Sequence, residues 1–323
     1  RTNKKNCTET ASTLTILLPI ACSISDKKWV IAGGKSLMKR PMEIYENIFK
    51  EQKLMYIKKK KSIIVRGKLK PGKYKVRGDI SSQFISGLIF ALPLLNGNSS
   101  IILTTPLQSK EYVNLTIDVI KKYGIKIKRI SNGFYIFGNQ KYKPIEYFVE
   151  SDYSAAAFFL VAKEMGAKIN LIGLNKKSHQ GDKKIVNIIN KTKKNKLGVT
   201  IDVSNIPDLV PILVVYMSLC LKTSSKIINA KRLRFKESDR LTAIATEINK
   251  MGGKIIEGSD YLIINPVKKM HNAALSSWND HRIAMALAIA HLKVKGKLKL
   301  DNFKCVNKSY PNFWKDYRTI IKT

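Results

Sequence analysis

One pattern of apolar and polar residues recurs along the chain, and that recurrence constrains the fold more than any single motif. Polar residues open a helix that is apolar on every side. A short strand follows, then a polar basic loop, an amphipathic helix, and a closing strand or hairpin. Five copies are legible. The first has helix Leu14 to Cys22, strand Trp29 to Ala32, loop Lys35 to Pro41, helix Met42 to Lys50 and a hairpin ending at Arg66. In the second, Ser81-Ser82-Gln83 opens a helix to Leu95. Strand Ser100 to Thr104, loop Gln108 to Tyr112, helix Val113 to Tyr123 and hairpin Ile125 to Phe137 follow. The third runs from Asp152 and Ser154 through helix Ala155 to Glu164, strand Lys168 to Ile172, loop Ser178 to Asp182 and helix Lys183 to Asn190. The fourth starts at Pro207-Asp208, with helix Leu209 to Cys220, strand Lys226 to Asn229, loop Arg232 to Arg240, helix Leu241 to Met251 and hairpin Lys254 to Ile264. The fifth opens at Asn279-Asp280-His281-Arg282, and the chain ends within its second helix.

A helix apolar all round, such as Leu209-Val210-Pro211-Ile212-Leu213-Val214-Val215-Tyr216-Met217, must be buried. The unit is therefore an α/β one, predicted to be a helix core partly enclosed by strands and not a parallel sheet with amphipathic helices on both faces. At 323 residues and 44% hydrophobic content the chain can bury two medium cores. A linker near Gln140 to Pro144 is expected to separate two lobes, with ligands held in the cleft between them.

The net charge of +36 raises nucleic acid as a partner, because phosphate backbones reward Lys and Arg by counterion release. The distribution argues against it. The lysines are scattered among similar excesses of Ile and Asn, as an AT-rich coding bias would produce. The run Lys58-Lys59-Lys60-Lys61 reads as a hairpin turn between Leu54-Met55-Tyr56-Ile57 and Ile63-Ile64-Val65. A general positive field that draws in small anions fits better. No run of 18 apolar residues exists, and Arg1-Thr2-Asn3-Lys4-Lys5 does not open a signal segment, so no membrane span is expected. Cys7, Cys22, Cys220 and Cys305 form no CxxC pair; neither a disulfide scaffold nor a zinc site is indicated, and a cytoplasmic location is expected. The chain does not begin with Met and runs within a few residues into a helix pattern, which reads as a truncated start.

Chemistry concentrates at the mouths of the helices. In Asn279-Asp280-His281-Arg282 a cationic Arg sits in the first turn of a buried helix, where the macrodipole disfavours it; a bound anion would repair that, and a solvated Arg beside its own Asp280 is the plain alternative. Lys236 and Arg240 are like charges four apart at a helix entrance capped by Ser238 or Asp239, an arrangement that calls for a bridging anion or carboxylate. Glu237 between them is a candidate proton donor or acceptor, the alternative being an ordinary capped surface helix. Ser81-Ser82-Gln83 offers hydroxyls and free amides, a phosphate site or simply a cap. Asp208, after Ile206-Pro207, is an N-cap or a carboxylate whose pKa burial raises into the range of proton transfer.

Six strings taken together are specific: Arg77-Gly78-Asp79-Ile80-Ser81-Ser82-Gln83-Phe84, Val149-Glu150-Ser151-Asp152-Tyr153-Ser154-Ala155-Ala156, Ser178-His179-Gln180-Gly181-Asp182, Ile206-Pro207-Asp208, Lys236-Glu237-Ser238-Asp239-Arg240-Leu241 and Asn279-Asp280-His281-Arg282-Ile283-Ala284-Met285. In order and spacing the chain resembles the 5-enolpyruvylshikimate-3-phosphate synthase family over essentially its whole length. The resemblance implies a two-lobed enolpyruvyl transferase fold, an inside-out α/β barrel in each lobe built from repeated βαβαββ units. Residues 1–147 would form most of one lobe and 148–323 most of the other. It implies transfer of the enolpyruvyl group of phosphoenolpyruvate to the 5-hydroxyl of shikimate 3-phosphate, by a cytoplasmic monomer with no metal or organic cofactor.

By the same resemblance Ser81, Ser82, Ser109 and Tyr112 contact shikimate 3-phosphate and Gln83 lies between the two substrates. Asp208 handles the 5-hydroxyl proton, Glu237 is the acid and base at C3, and Lys236 is a cation beside the hydroxyl. Arg240, Arg282 and Lys308, the last in Lys304-Cys305-Val306-Asn307-Lys308-Ser309-Tyr310-Pro311, clamp phosphoenolpyruvate; Arg suits this because its planar fork binds carboxylate and phosphate bidentately. Three departures stand against the family pattern. A Gly-Ser-Lys-Ser-like strand carrying a catalytic lysine should lie upstream of Arg1. Ala11 and Thr15 stand where Gly and Arg are usual, which places the Ala11 methyl on the phosphoenolpyruvate side of the pocket. Ser36 stands where an Arg is usual, with Lys35 or Lys39 as substitutes. A decayed or repurposed homologue that binds a small phosphorylated anion without turnover is the alternative reading.

Overall fold

The computed structural model describes residues 2–8 and 10–321, the side chain of Ser36 excepted. The chain divides into two compact units, Arg1–Phe148 and Val149–Thr323.

The first unit contains β1 (Thr2–Asn6), α1 (Ala11–Ile24), β2 (Lys28–Ala32), the short α2 (Lys35–Met38), α3 (Glu43–Glu51), β3 (Met55–Lys58) and β4 (Ser62–Arg66). It continues with β5 (Lys73–Val76), α4 (Ser82–Ala91), β6 (Ser99–Leu103), α5 (Lys110–Lys122), β7 (Ile127–Ile130) and β8 (Gly133–Ile136). The second unit contains α6 (Tyr153–Glu164), α7 (Lys184–Thr192), β9 (Thr200–Asp202), α8 (Val210–Cys220), β10 (Ser225–Ile228), α9 (Arg240–Lys250), β11 (Lys254–Glu257) and β12 (Leu262–Asn265). It ends with β13 (Ala274–Leu275), α10 (His281–His291), β14 (Lys299–Leu300) and α11 (Phe313–Ile321).

Three four-stranded sheets have one topology, with orders β1-β2-β4-β3, β5-β6-β8-β7 and β11-β12-β10-β9. In each, the first two strands of the copy run parallel, joined across the apolar helix. The hairpin then pairs antiparallel onto the second strand. β13 and β14 repeat the parallel pair around α10. The first, second and fourth copies are thus βαβαββ units, each with an opening strand that the periodicity missed. β1, β5 and β9 are three to five residues long, and their outward positions carry Lys, Asn and Thr, so they show no apolar run. The Lys58 to Lys61 turn closes the β3–β4 hairpin as expected, the Lys59 N–H donating to the Ser62 carbonyl at 2.8 Å.

The apolar helices are interior. Every residue from Val210 to Ser218 on α8 is buried, as is every residue of α10 except Arg282. Removing a Leu, Ile or Val side chain from water contributes about 1.5–3 kcal/mol, so these helices hold the units together. The strands lie outside them and bury one face. Two expectations need correction. The loop Lys35 to Pro41 contains a helical turn, Lys35–Met38, whose Leu37 and Met38 enter the first core. The segment Lys168 to Ile172 forms no strand. Ile169 and Leu171 do pack on the second core, but among the described residues no strand lies alongside to accept a ladder.

Helices α1 and α4 pack tightly against each other at Gly87. A Cβ there would overlap the Tyr45 hydroxyl and the Thr15 carbonyl oxygen. Tyr45 is completely buried, and its hydroxyl lies 2.7 Å from the Thr15 carbonyl and 3.0 Å from that of Phe84, joining α3 to both helices. Gly87→Ala should therefore lower stability: overpacking costs about 1–3 kcal/mol and outweighs the ~1 kcal/mol helix-propensity gain. A thermal unfolding midpoint a few degrees below wild type is expected, and an unchanged or raised midpoint would remove this contact from the account.

Candidate active site

Two capped helix starts build the charged centre of the second unit. The Asp239 carboxylate accepts the Thr242 N–H at 3.2 Å and starts α9 at Arg240. The Asp280 carboxylate accepts the Arg282 N–H at 2.9 Å and starts α10. Each cap fixes where the following arginine leaves the backbone. Beside them, Pro207 and Asp208 form a 3-10 turn that leads into α8.

Arg240 is 1% exposed, and its guanidinium meets three carboxylates. Nε donates to Asp280 at 2.7 Å, Nη1 to Asp208 at 2.8 Å, and Nη2 to Glu237 at 2.8 Å. The other Glu237 oxygen accepts from Lys308 Nζ at 2.7 Å. The other Asp208 oxygen is 3.1 Å from Arg282 Nη2, and Lys236 Nζ stands 3.6 Å from Asp208. Arg282 Nη1 donates to the Ser154 hydroxyl at 2.6 Å. Four cations and three carboxylates share the cluster, which therefore carries one surplus positive charge.

The carboxylate that bridges Lys236 and Arg240 is Asp208, and it corrects the expectation about its own acidity. Burial alone would raise its pKa, but Arg282, Lys236 and Arg240 outweigh burial and hold it well below the usual carboxylate range. In this arrangement Asp208 is a fixed anion. Asp280, fully buried, is likewise lowered: burial opposes, and Arg240 prevails. Lys236 is lowered, by desolvation first and then by the crowding of Arg240 and Arg232, against the pull of Asp208. Arg282 finds its counterion within the protein, in Asp208, so its place in a buried first turn does not by itself require a bound anion.

In the first unit Ser81 caps α4, its hydroxyl accepting the Gln83 N–H at 3.3 Å, and Ser82 is buried. Ser109 precedes α5 with φ 52° and is 1% exposed, its carbonyl accepting the Tyr112 N–H at 3.1 Å. Their two loops are laced together. The Thr105 hydroxyl accepts from the Gly78 N–H at 2.9 Å and donates to Asp79 at 2.8 Å, while the Gln108 N–H donates to the Gly78 carbonyl at 3.0 Å. The Asp79 carboxyl is lowered to about 2, chiefly by its bond to Arg77. Ala11 is buried at the start of α1, and the Thr15 hydroxyl donates back to the Ala11 carbonyl at 2.9 Å while lying 3.5 Å from Gln83 Oε1. Lys35 and Lys39 are exposed; the Ser36 side chain lies outside the described residues.

Three residues received no role in the site from the sequence. Ser154, a first-turn residue of an apolar helix like Ser82, meets Arg282, and that shared position was the available signal. Asp280 is the anchor of Arg240 and not a surface neighbour of Arg282. Other residues of two of the six strings brace a loop: Glu150 accepts from Ser178 at 2.6 Å and from Gln180 at 3.0 Å, and Gln180 accepts the Tyr153 N–H at 2.8 Å.

His281 is the third. Burial, then the Arg282 charge, push it down to about 4 against the pull of Asp280. Between its ordinary value of about 6.5 and about 4 the unfolded chain takes up a proton that the folded chain refuses, so stability falls as pH drops through that window. Asp208 and Asp280 add their loss only below their ordinary value of about 4. Urea midpoints at pH 6.5 and 4.5 should differ less in His281→Gln than in wild type; equal differences would mean that His281 is not the group that titrates.

Comparison with known proteins agrees with this architecture. The family model described as EPSP synthase (3-phosphoshikimate 1-carboxyvinyltransferase) matches residues 2–317. The 3-phosphoshikimate 1-carboxyvinyltransferase of Clostridium novyi (strain NT) is 45% identical, covering 98% of this chain and 76% of the relative. That of Clostridium perfringens (strain SM101 / Type A) is also 45% identical, over 98% and 78%. Among solved structures, EPSP synthase from Acinetobacter baumannii superposes with a TM-score of 0.79 at 21% identity, covering 98% of this chain and 78% of that one. The enolpyruvyl transferase NikO from Streptomyces tendae gives 0.68 at 14% identity, over 94% and 75%. These structures share the two-lobed enolpyruvyl transferase fold, and the sequence relatives carry the assignment further: the chain belongs to the EPSP synthase (3-phosphoshikimate 1-carboxyvinyltransferase) family.

Proposed function

We propose that this chain transfers the enolpyruvyl (1-carboxyvinyl) group of phosphoenolpyruvate to the 5-hydroxyl of shikimate 3-phosphate and releases phosphate, acting as a cytoplasmic monomer. The observation that carries the reading is the Arg240 cluster, which holds one buried and three half-buried cations, their carboxylate partners and one surplus positive charge in a single place.

The chemistry requires an acid, a base and cations. Protonation of C3 of the enol makes a cationic centre at C2, which the 5-hydroxyl oxygen attacks as its proton leaves. Loss of phosphate from the tetrahedral adduct, with return of the C3 proton, restores the double bond. We assign Arg240, Arg282 and Lys308 to the carboxylate and phosphate of phosphoenolpyruvate, Glu237 to the C3 proton, and Lys236 to the reacting hydroxyl. Ser81, Ser82, Ser109 and Tyr112 are assigned to shikimate 3-phosphate, and Gln83 to both substrates.

Asp208 is assigned the 5-hydroxyl proton, and its surroundings suggest how an anion of depressed pKa can accept one. Phosphoenolpyruvate competes for Arg282 and Arg240, the same charges that hold Asp208 down. As they turn to the substrate, Asp208 becomes a stronger base, so its basicity rises only when phosphoenolpyruvate is bound. Removing one preorganised electrostatic group or acid–base group commonly costs ~100-fold or more in turnover.

Phosphate release is the assay, run on the protein that carries this sequence. Glu237→Gln should lower kcat ~100-fold or more while leaving the KM for shikimate 3-phosphate within a few-fold. Ser81→Ala combined with Ser82→Ala should instead raise the KM for shikimate 3-phosphate by ~10-fold or more, since charge-assisted bonds to a phosphate are worth about 1.5–3 kcal/mol. Wild-type turnover by Glu237→Gln would remove it from the C3 proton. A protein that binds shikimate 3-phosphate but never releases phosphate would sink the transferase reading altogether.

A further inference from the structure

The charge cluster depends on a turn that none of the assigned residues holds. Residues Ser276 to Asn279 deliver Asp280 and Arg282, and within them Trp278 and Asn279 adopt φ of 51° and 53° in succession. Side-chain-bearing residues occupy that region only where their surroundings fix them. Two carboxylates do so. Asp301 accepts the Ser276 hydroxyl at 2.6 Å and the Ser277 N–H at 2.8 Å. Glu247 accepts the Ser276 N–H at 3.0 Å through one oxygen, and through the other the Trp278 indole Nε1–H at 2.9 Å and Lys250 Nζ at 2.9 Å.

Glu247 differs from Asp301 in its place. It is 0% exposed and lies on α9, two helical turns after Arg240 on the same face. One face of α9 therefore grips the approach to α10 twice, at Asp280 through Arg240 and at Ser276 and Trp278 through Glu247. A carboxylate buried this deeply is costly unless hydrogen bonds satisfy it, and both its oxygens are occupied by groups of one short segment and by Lys250. No step of the proposed reaction uses it.

We propose that Glu247 is a positioning residue: it sets the Ser276–Asn279 turn so that Asp280 can cap α10 and pair with Arg240, and so that Arg282 is aimed for phosphoenolpyruvate. The inference rests on the proposed function for its kinetic consequence but not for its structural one. Glu247→Gln is the informative variant, because it keeps the shape and places an NH2 donor against groups that already donate.

Two readouts separate the claims. The first is kinetic: Glu247→Gln should raise the KM for phosphoenolpyruvate by ~10-fold or more, as loss of an orienting outer partner commonly does, with the KM for shikimate 3-phosphate held within about twofold. The second needs no substrate: hydrogen exchange at the amides from Ser276 to Arg282 should accelerate ~10-fold or more, with little change in α8. Trp278→Phe removes the indole donor alone, and should shift both readouts the same way by less; it decides the matter if Glu247→Gln does not fold. Unchanged exchange over 276–282 overturns the positioning role whatever the kinetics. Equal rises in both KM values overturn it as well, since they would report general loosening. If the wild-type protein turns over neither substrate, the functional reading falls, and accelerated exchange in Glu247→Gln still upholds the structural claim.

Discussion

Everything chemical in the second unit is arranged around the buried guanidinium of Arg240. An isolated charge at that depth would cost several kcal/mol, and removing one partner of such a pair typically costs about 3–5 kcal/mol. Three carboxylates from three segments meet it, Asp208 at the mouth of α8, Glu237 just before α9 and Asp280 at the cap of α10. The cluster therefore cannot form until those three helix starts have converged. In the proposed reading the same cluster is open to competition, because a substrate anion offers Arg282 and Lys308 a partner equivalent to the carboxylates they hold.

The repeated unit explains why the centre stands at helix mouths. Each apolar helix is enclosed by its own strands and neighbours, so its sides face other side chains and only its ends can present polar groups. In the first unit the start of α4 carries Ser81 and Ser82, and the amphipathic α5 adds Ser109 just before it. In the second the starts of α8 and α10 carry Asp208, Asp280 and Arg282, and the amphipathic α9 adds Arg240. Similar backbone frames thus hold different chemistry according to the cap residues, which is the sense in which function is grafted onto this fold.

Legibility varied with the range of the interaction. The apolar helices and the hairpins were readable because burial imposes a local period on the residues. β1, β5 and β9 were not: short strands with polar outward positions exist because a parallel partner lies across a helix. Lys168 to Ile172 is the reverse case, an alternating segment without a neighbouring strand among the described residues. At the site, the requirement for a counterion between Lys236 and Arg240 was readable from like charges four apart. That Asp208 supplies it, and is acidified where burial had suggested a raised pKa, depends on three cations from distant segments. Glu150 and Gln180 sit in two of the specific strings, and there they brace a loop.

The sequence by itself determined the repeated α/β unit, the burial of its first helix, the family, and the set of residues at the helix mouths, because each of these follows from local periodicity, capping or an ordered string. Only the tertiary structure decided which of those residues touch, their protonation, and the roles of Ser154, Asp280 and Glu247. Coulomb energy and hydrogen bonding at 3 Å depend on positions that residues tens of places apart acquire only when the helices pack, and no pattern along the chain encodes that distance.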